Sequence, residues 1–305
     1  MLRKLLVNFI RIVIGLVIVA VVLNFSPPLR IALLAASGRA TGCPWQKALA
    51  SYQDDRVQRE VTAKMMAACR LIRKDADGYQ LLATPRGNYW IPPGNTEIAG
   101  LLAEQERGIY GTGEEGVHPN DVVLDCGANI GVFTTVALAR GAKTIVAIEP
   151  NPQAVECLRR TFSSEIAAGR VILYPKGVWD KDDMLELMLS RTDPAMDGFV
   201  IHYSNIESSV KVPLTTIDKL AAELKLPRVD FIKMDIEGAE QRALQGAAGV
   251  LHAYHPRMAI SSYHLYEDAK RIPAIVHTAW NGYQQQCGSC EDKIYDVRPN
   301  VYFFR

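Results

Sequence analysis

At 305 residues the chain is long enough for one substantial domain with an appendage. Charged residues at 22% and apolar residues at 49% exclude a disordered chain, and a net charge of +1 gives no footprint for nucleic acid. Six cysteines (Cys43, Cys69, Cys126, Cys157, Cys287 and Cys290) are too sparse for a disulfide framework, so a reducing compartment is expected.

No acid precedes Asp54, whereas Arg3, Lys4, Arg11, Arg30, Arg39 and Lys47 are basic. The run LLVNFIRIVIGLVIVAVVLNF (5–25) is broken only by Asn8 and Arg11. As a helix it would reach about 31 Å, close to the thickness of a bilayer core. A retained membrane anchor is expected, with a cleaved signal peptide or an interfacial helix as alternatives. Basic residues on both flanks leave its orientation open. Pro27 and Pro28 stop the run, and LRIALLAA (29–36) is too short to span.

Residues 1–43 are therefore read as a hydrophobic membrane segment, 44–116 as a cap and 117–305 as the main domain. In the cap, three- and four-residue spacing of Val57, Val61, Met65, Ala68 and Leu71 predicts a helix over 44–74. Short extended pieces around YQLLAT and NYWI follow, then a helix over 97–110 and a glycine-rich break.

From residue 119 strands and helices alternate. VVLD, TIVAIE, VILYPKGV, VDFIKMD, RMAISSY and VYFF are apolar strand runs, separated in part by helical stretches. Continuous apolar strands between helices predict an α/β sheet covered on both faces. Its ligand crevice should lie beyond the carboxyl ends of the strands. Asp125, Glu149, Asp235 and His264 all fall at or just past such ends.

The first strand runs into D-x-G-x-x-x-G: Asp125, Gly127, Gly131. Gly127 permits close backbone approach, Gly131 leaves room for helix packing, and the first helical turn can face a polar ligand. Glu149 stands 22 residues after Gly127, near the offset at which an acid grips ribose hydroxyls. Asn129 occupies the place of the second glycine of a dinucleotide loop, which disfavours a nicotinamide-dependent oxidoreductase.

DVVLDCGANIGVFT, IVAIEPNP, VPLTTIDKL and FIKMDIEGAE, in this order over roughly 100–265, resemble the FkbM family of S-adenosylmethionine-dependent methyltransferases. The resemblance implies a class I methyltransferase (Rossmann-like) fold with a seven-stranded, mostly parallel sheet, and commonly O-methylation of a hydroxyl or carboxyl. It implies that Asp125, Gly127, Asn129 and Gly131 line the methionine and ribose side of S-adenosyl-L-methionine. Glu149 would take the ribose hydroxyls, and Pro150 and Asn151 would shape the adenine edge. Gly177, Val178, Trp179 and Asp180 would neighbour the adenine ring. Ordinary structural readings exist for two of these: Trp179 as a packing residue and Asp125 as a turn or helix cap.

Methyl transfer is an in-line displacement, and a hydroxyl acceptor must lose a proton, so a base or a metal is useful. Asp235 and Glu237 are expected at the reactive face, with a helix cap as the structural alternative for Asp235. His264 is read from chemistry alone as the general base. Tyr203, His202 and Asn205 lie in an insertion over 180–208 that can wall an acceptor pocket. CGSC at 287–290 has the spacing of a reduced pair, a hairpin disulfide, half a zinc site or reactive thiols. The expected protein is a membrane-associated enzyme with a cytoplasmic catalytic domain, since the donor is made there. A small-molecule or lipid-linked acceptor is expected and no nucleic acid. A non-catalytic scaffold is the other rival.

Overall fold

The computed structural model describes residues 8, 9, 11, 13, 15, 26–190 and 206–305. Apart from those five residues, the expected span at 5–25 lies outside them, as do His202, Tyr203 and Asn205. Among the described residues no helix is long and apolar enough to cross a membrane.

Pro27 and Pro28 start a helix: α1 runs Pro27–Ala36, with proline where no N–H is needed. Ile31 on this helix is fully buried in the principal core, and Arg30 pairs with Asp292. Residues 27–36, grouped above with the membrane segment, thus pack as part of the folded domain.

The cap helix α2 (Trp45–Ala68) ends earlier than its spacing predicts. Cys69 turns extended, and β1 (Arg70–Lys74) pairs antiparallel with β2 (Gln80–Thr84), followed by β3 (Gly87–Ile91). Leu71 and Ile72 are exposed on β1, so no buried face fixed them in a helix. The left-handed Gly78 and the Asp75 carboxylate, which accepts from Tyr79 N–H, close the hairpin. Helix α3 (Ile98–Arg107) then buries Leu102 and Ala103 against Ile130 and Val132.

The main sheet begins with β4 (Val122–Cys126), every residue of which is buried. It leads through α4 (Val132–Ala139) to β5 (Thr144–Ile148), α5 (Pro152–Thr161) and β6 (Val171–Tyr174). Pro175 has no N–H for the ladder, so the expected single strand VILYPKGV divides. Its end, β7 (Gly177–Val178), joins β8 (Asp183–Ser190) and β9 (Ile206–Thr215) in a separate sheet.

After α6 (Ile217–Glu223) come β10 (Phe231–Met234), α7 (Glu240–Gln245), α8 (Ala248–Tyr254), β11 (Arg257–Ser261) and α9 (Asp268–Ala279). The chain closes with β12 (Gln285–Cys287), the hairpin β13 (Cys290–Asp292) and β14 (Val297–Pro299), and β15 (Val301–Phe304). The seven-stranded order is β12-β15-β11-β10-β4-β5-β6. β4, β5, β6, β10 and β11 are parallel and β15 is antiparallel to both its neighbours, so the expected mostly parallel sheet is present. The central strands β4 and β10 are buried at every residue, as strands covered on both faces are, while edge strand β12 exposes two glutamines.

Cys290 bonds Cys43, not Cys287, and so ties the loop before α2 to the carboxyl-terminal hairpin. Cys287 stays a buried thiol 3.7 Å from Cys290. This disulfide corrects the expectation of wholly reduced cysteines. It joins residues 247 apart, and closing so long a loop restricts the unfolded chain by up to about 5 kcal/mol. Cys43→Ser is therefore expected to lower the thermal midpoint under non-reducing conditions. Equal midpoints for the wild type with and without reductant would remove the bond from the native protein.

Candidate active site

Parallel pairing sets Lys233 on β10 beside Asp125 on β4, so the two side chains share one sheet face. Lys233 Nζ lies 3.4 Å from Asp125 Oδ1 and donates to the Gly127 carbonyl at 2.7 Å. Thr134 donates to Asp125 Oδ2 at 2.7 Å. Asp125 has no exposed surface. It stands beneath the bend as a charged support and does not line the cleft as expected. Burial draws the Lys233 ammonium down, but Asp125 and Asp235 more than offset it and hold the group above its ordinary range.

The bend itself is built on left-handed backbone. Gly127 has φ +76°, and a Cβ there would sit 1.9 Å from the Asp235 carbonyl oxygen. At Gly131, φ +91°, a Cβ would meet the Phe162 ring at 2.2 Å. Gly127 therefore serves close approach between strand ends, while Gly131 serves packing against the turn after α5. Asn129 tolerates φ +49°, and its N–H donates to Glu149 Oε2 at 2.8 Å. Its side-chain Oδ1 is buried without a hydrogen bond.

Glu149 ends the next strand and also accepts the Asn151 N–H on Oε1 at 2.9 Å. Burial pushes its carboxyl up to about 7, against the lowering effect of those two N–H groups and of Lys233; Asp125 adds to the rise. Asn151 is spent as a cap: its side chain accepts the Gln153 N–H at 2.8 Å ahead of Pro152. Only Pro150 and Glu149 of this group reach the cleft.

Gly177 and Val178 line the same cleft, whereas Trp179 and Asp180 do not. Trp179 packs with Leu187, Val212 and Leu214, and Asp180 pairs with Arg242 at 2.5 Å. For Trp179 this matches the packing alternative, and Asp180 faces away from the cleft it was expected to neighbour.

At the other end of the cleft are Glu104, Tyr110, Asp235, Glu237 and Tyr263. Asp235 accepts from Tyr110 Oη at 2.6 Å. It does not cap the following helix, because Glu240 takes the Ile236 N–H at 2.9 Å. Burial raises the Asp235 carboxyl, yet Lys233, His264 and Tyr110 outweigh it and keep it ionised below its usual range. His264 has a side chain only 2% exposed, near Glu240, Glu237 and Asp235. Burial lowers its affinity for a proton, but these acids reverse the balance and hold it far above the ordinary histidine range. That direction runs against the general-base role expected from sequence.

Three participants were missed. Lys233, inside the strand run VDFIKMD, carried no expected role. Glu104 and Tyr110 come from the cap, more than a hundred residues before the KMDIEGAE motif. Glu104 opens on the cleft while surrounded by protein; burial pushes its carboxyl up to about 8, with Asp235 adding and Lys233 and Arg107 subtracting. The hydrophobic rhythm of α3 conceals it, and only its polar place on a buried helix face hinted at a role.

One continuous cleft therefore joins an acid-and-glycine bend suited to a ribose to a cluster of acids suited to proton removal. The orphaned Asn129 Oδ1 and the backbone-fixed Glu149 fit a nucleoside donor.

Residues 125–289, more than half of the chain, match the model of the methyltransferase FkbM domain. The chain is 26% identical over 165 residues to the hexuronic acid methyltransferase AglP of Haloferax volcanii, covering 54% of this chain and 65% of that protein. It is 26% identical over 169 residues to the 31-O-demethyl-FK506 methyltransferase FkbM of Streptomyces tacrolimicus, covering 47% and 64%. The chain thus spans less than two thirds of the length of these curated relatives. A crystal structure of methyltransferase FkbM from Methylobacillus flagellatus superposes with a TM-score of 0.47 at 20% identity, covering 67% of this chain and 48% of that one.

Proposed function

Because the chain belongs to the FkbM methyltransferase family, we propose that it moves a methyl group from S-adenosyl-L-methionine to a hydroxyl or carboxyl oxygen of a small or lipid-linked acceptor. The observation that carries this reading is the single cleft holding Glu149 at one end and Glu104 with Asp235 at the other. The bound donor supplies an electrophilic methyl group on a sulfonium. Glu149, fixed by the Asn129 and Asn151 N–H groups, accepts the ribose hydroxyls. Val178 and Pro150 give apolar surface for the adenine, and Asn129 offers a buried amide oxygen to the donor.

Glu104 is the proton acceptor in this scheme. A carboxyl at about 8 matches a general base working near neutrality, whereas ionised Asp235 is too weak a base and serves to position. Neutral Tyr263, whose hydroxyl burial holds well above its ordinary range, remains a donor that can orient the acceptor, while Tyr110, raised likewise, gives its proton to Asp235.

A second cleft lined by Arg39, Lys293, Arg298, Tyr266 and Tyr295 meets the first at Tyr263. Arg298 is paired with Asp296 and Lys293 with Glu291, so Arg39 is the cation there with no ion pair among the described residues; with the tyrosine rings it supports a uronate-like acceptor of the kind named for the Haloferax relative. Membrane association through 1–25 completes the proposal.

Calorimetry on the full chain tests it. S-adenosylhomocysteine should bind and NADH should not; the reverse result establishes an oxidoreductase, and binding of neither a scaffold. With labelled donor and an acceptor found by screening, Glu104→Gln should cut kcat by about 10²–10⁴ and leave S-adenosylhomocysteine affinity unchanged. Full turnover in that variant would sink the assignment of the base.

A further inference from the structure

Three carboxylates converge on one imidazole at the acceptor end of the cleft. His264 Nε2 lies 3.6 Å from Asp235 Oδ1 and 3.5 Å from Glu237 Oε1. Its Nδ1 lies 3.0 Å from Oε1 of the fully buried Glu240. The imidazole is only 2% exposed, yet neither nitrogen makes a hydrogen bond. Asp235 Oδ1 is also buried without one. Buried polar atoms are ordinarily paired, and a group of them aimed at one point calls for an explanation such as an ion.

The spacing narrows the choice of ion. Ligand bonds of about 2.1 Å at a tetrahedral angle hold two donor atoms about 3.4 Å apart, close to both distances from Nε2. The right angles that Mg²⁺ demands bring them to about 2.9 Å at its shorter bonds. Ca²⁺ requires six to eight oxygens, and one of the three donors here is nitrogen. All three ligand atoms fall within 4.8 Å of one another. Glu240 behind Nδ1 supplies the outer carboxylate that fixes a metal-bound histidine's ring and tautomer. Its other contact, the Ile236 N–H at 2.9 Å, anchors that carboxylate to the same turn.

We propose that Asp235, Glu237 and His264 form a divalent-metal site whose geometry fits Zn²⁺, with Glu240 as the positioning residue. Three protein ligands leave a fourth tetrahedral place, the arrangement of a catalytic centre as opposed to a closed structural one. An acceptor oxygen held there becomes more acidic, so less is asked of Glu104. That role rests on the methyltransferase reading; the binding itself does not.

The test is titration of metal-stripped full chain with Zn²⁺ against a chromophoric chelator, alongside S-adenosylhomocysteine calorimetry and a thermal melt of each variant. One Zn²⁺ per chain is expected, bound about 100-fold or more weakly in His264→Ala and Glu237→Gln, and about 10–100-fold more weakly in Glu240→Gln. Cys287→Ser should leave it unchanged, since among the described residues the other grouping of metal-type ligands is Cys43, Cys287 and Cys290. Absence of Zn²⁺ binding, or equal binding by folded His264→Ala and Glu237→Gln, overturns the site; equal binding of Mg²⁺ overturns the choice of ion. A wild type that binds S-adenosylhomocysteine but no Zn²⁺ removes the metal alone, whereas one that binds Zn²⁺ but no S-adenosylhomocysteine removes the methyltransferase reading.

Discussion

Lys233→Met is expected to destabilise the fold by about 3–5 kcal/mol, because it leaves Asp125 charged, unpaired and sealed from water. Asp125 has no exposed surface and Lys233 Nζ is the cation beside it, 3.4 Å from Oδ1. The ammonium also donates to the Gly127 carbonyl at 2.7 Å, so its loss frees the bend that shapes the donor site. Methionine keeps the length of the side chain, which separates the electrostatic effect from a packing defect. A second substitution, Asp125→Asn, removes the stranded charge and should restore part of the loss, while Thr134 can still donate to the amide oxygen. Urea titration of the two single variants and the double variant measures this as shifts in midpoint at constant slope. A loss under about 1 kcal/mol in Lys233→Met, or a strictly additive double variant, would show that the pair is not what neutralises Asp125.

That pair also marks where sequence stops being informative. The apolar runs at 122–126, 144–148 and 231–234 announce buried strands by composition, and an acid at the end of each is visible at once. Which residue stands beside Asp125 depends on the register of β10 against β4, and no local pattern encodes register between segments a hundred residues apart. Lys233 therefore read as a strand residue of no consequence. Glu104 and Tyr110 were hidden for a related reason: α3 is legible as a helix, but not the fact that it lies over the ends of β4 and β10. His264 was found by position, but its proton affinity is set by Glu240, Glu237 and Asp235, which only folding assembles around it. The disulfide between Cys43 and Cys290 escaped because the nearer partner, Cys287, satisfies the spacing rule that chemistry suggests.

Glu149, singled out by its offset of 22 residues, lines the cleft, and the largest effect on donor binding is expected there. Two ribose hydroxyls donating to an ionised carboxylate are worth about 1.5–3 kcal/mol each. Glu149→Ala should thus weaken S-adenosylhomocysteine binding by roughly two to four orders of magnitude. Glu149→Gln should fare little better, since its amide nitrogen must face either the Asn129 or the Asn151 N–H, donor against donor. The pH dependence gives an independent reading. Burial raises this carboxyl from about 4.5 to about 7 despite Lys233 and the two N–H groups, and Asp125 contributes to the rise. Its sign is that of a raised acid: the native state holds a proton that the unfolded chain has released. The contribution to stability is present below about 4.5 and is lost as pH climbs through about 7. Donor binding runs the other way, because only the ionised form accepts both hydroxyls. Affinity for S-adenosylhomocysteine should fall as pH drops from 8 to 6, with proton release on binding seen by calorimetry in buffers of different ionisation heat. The thermal shift given by the ligand should likewise be larger at pH 8 than at pH 6. A pH-independent affinity in the wild type, or Glu149→Ala within about threefold of it, would place the ribose elsewhere in the cleft.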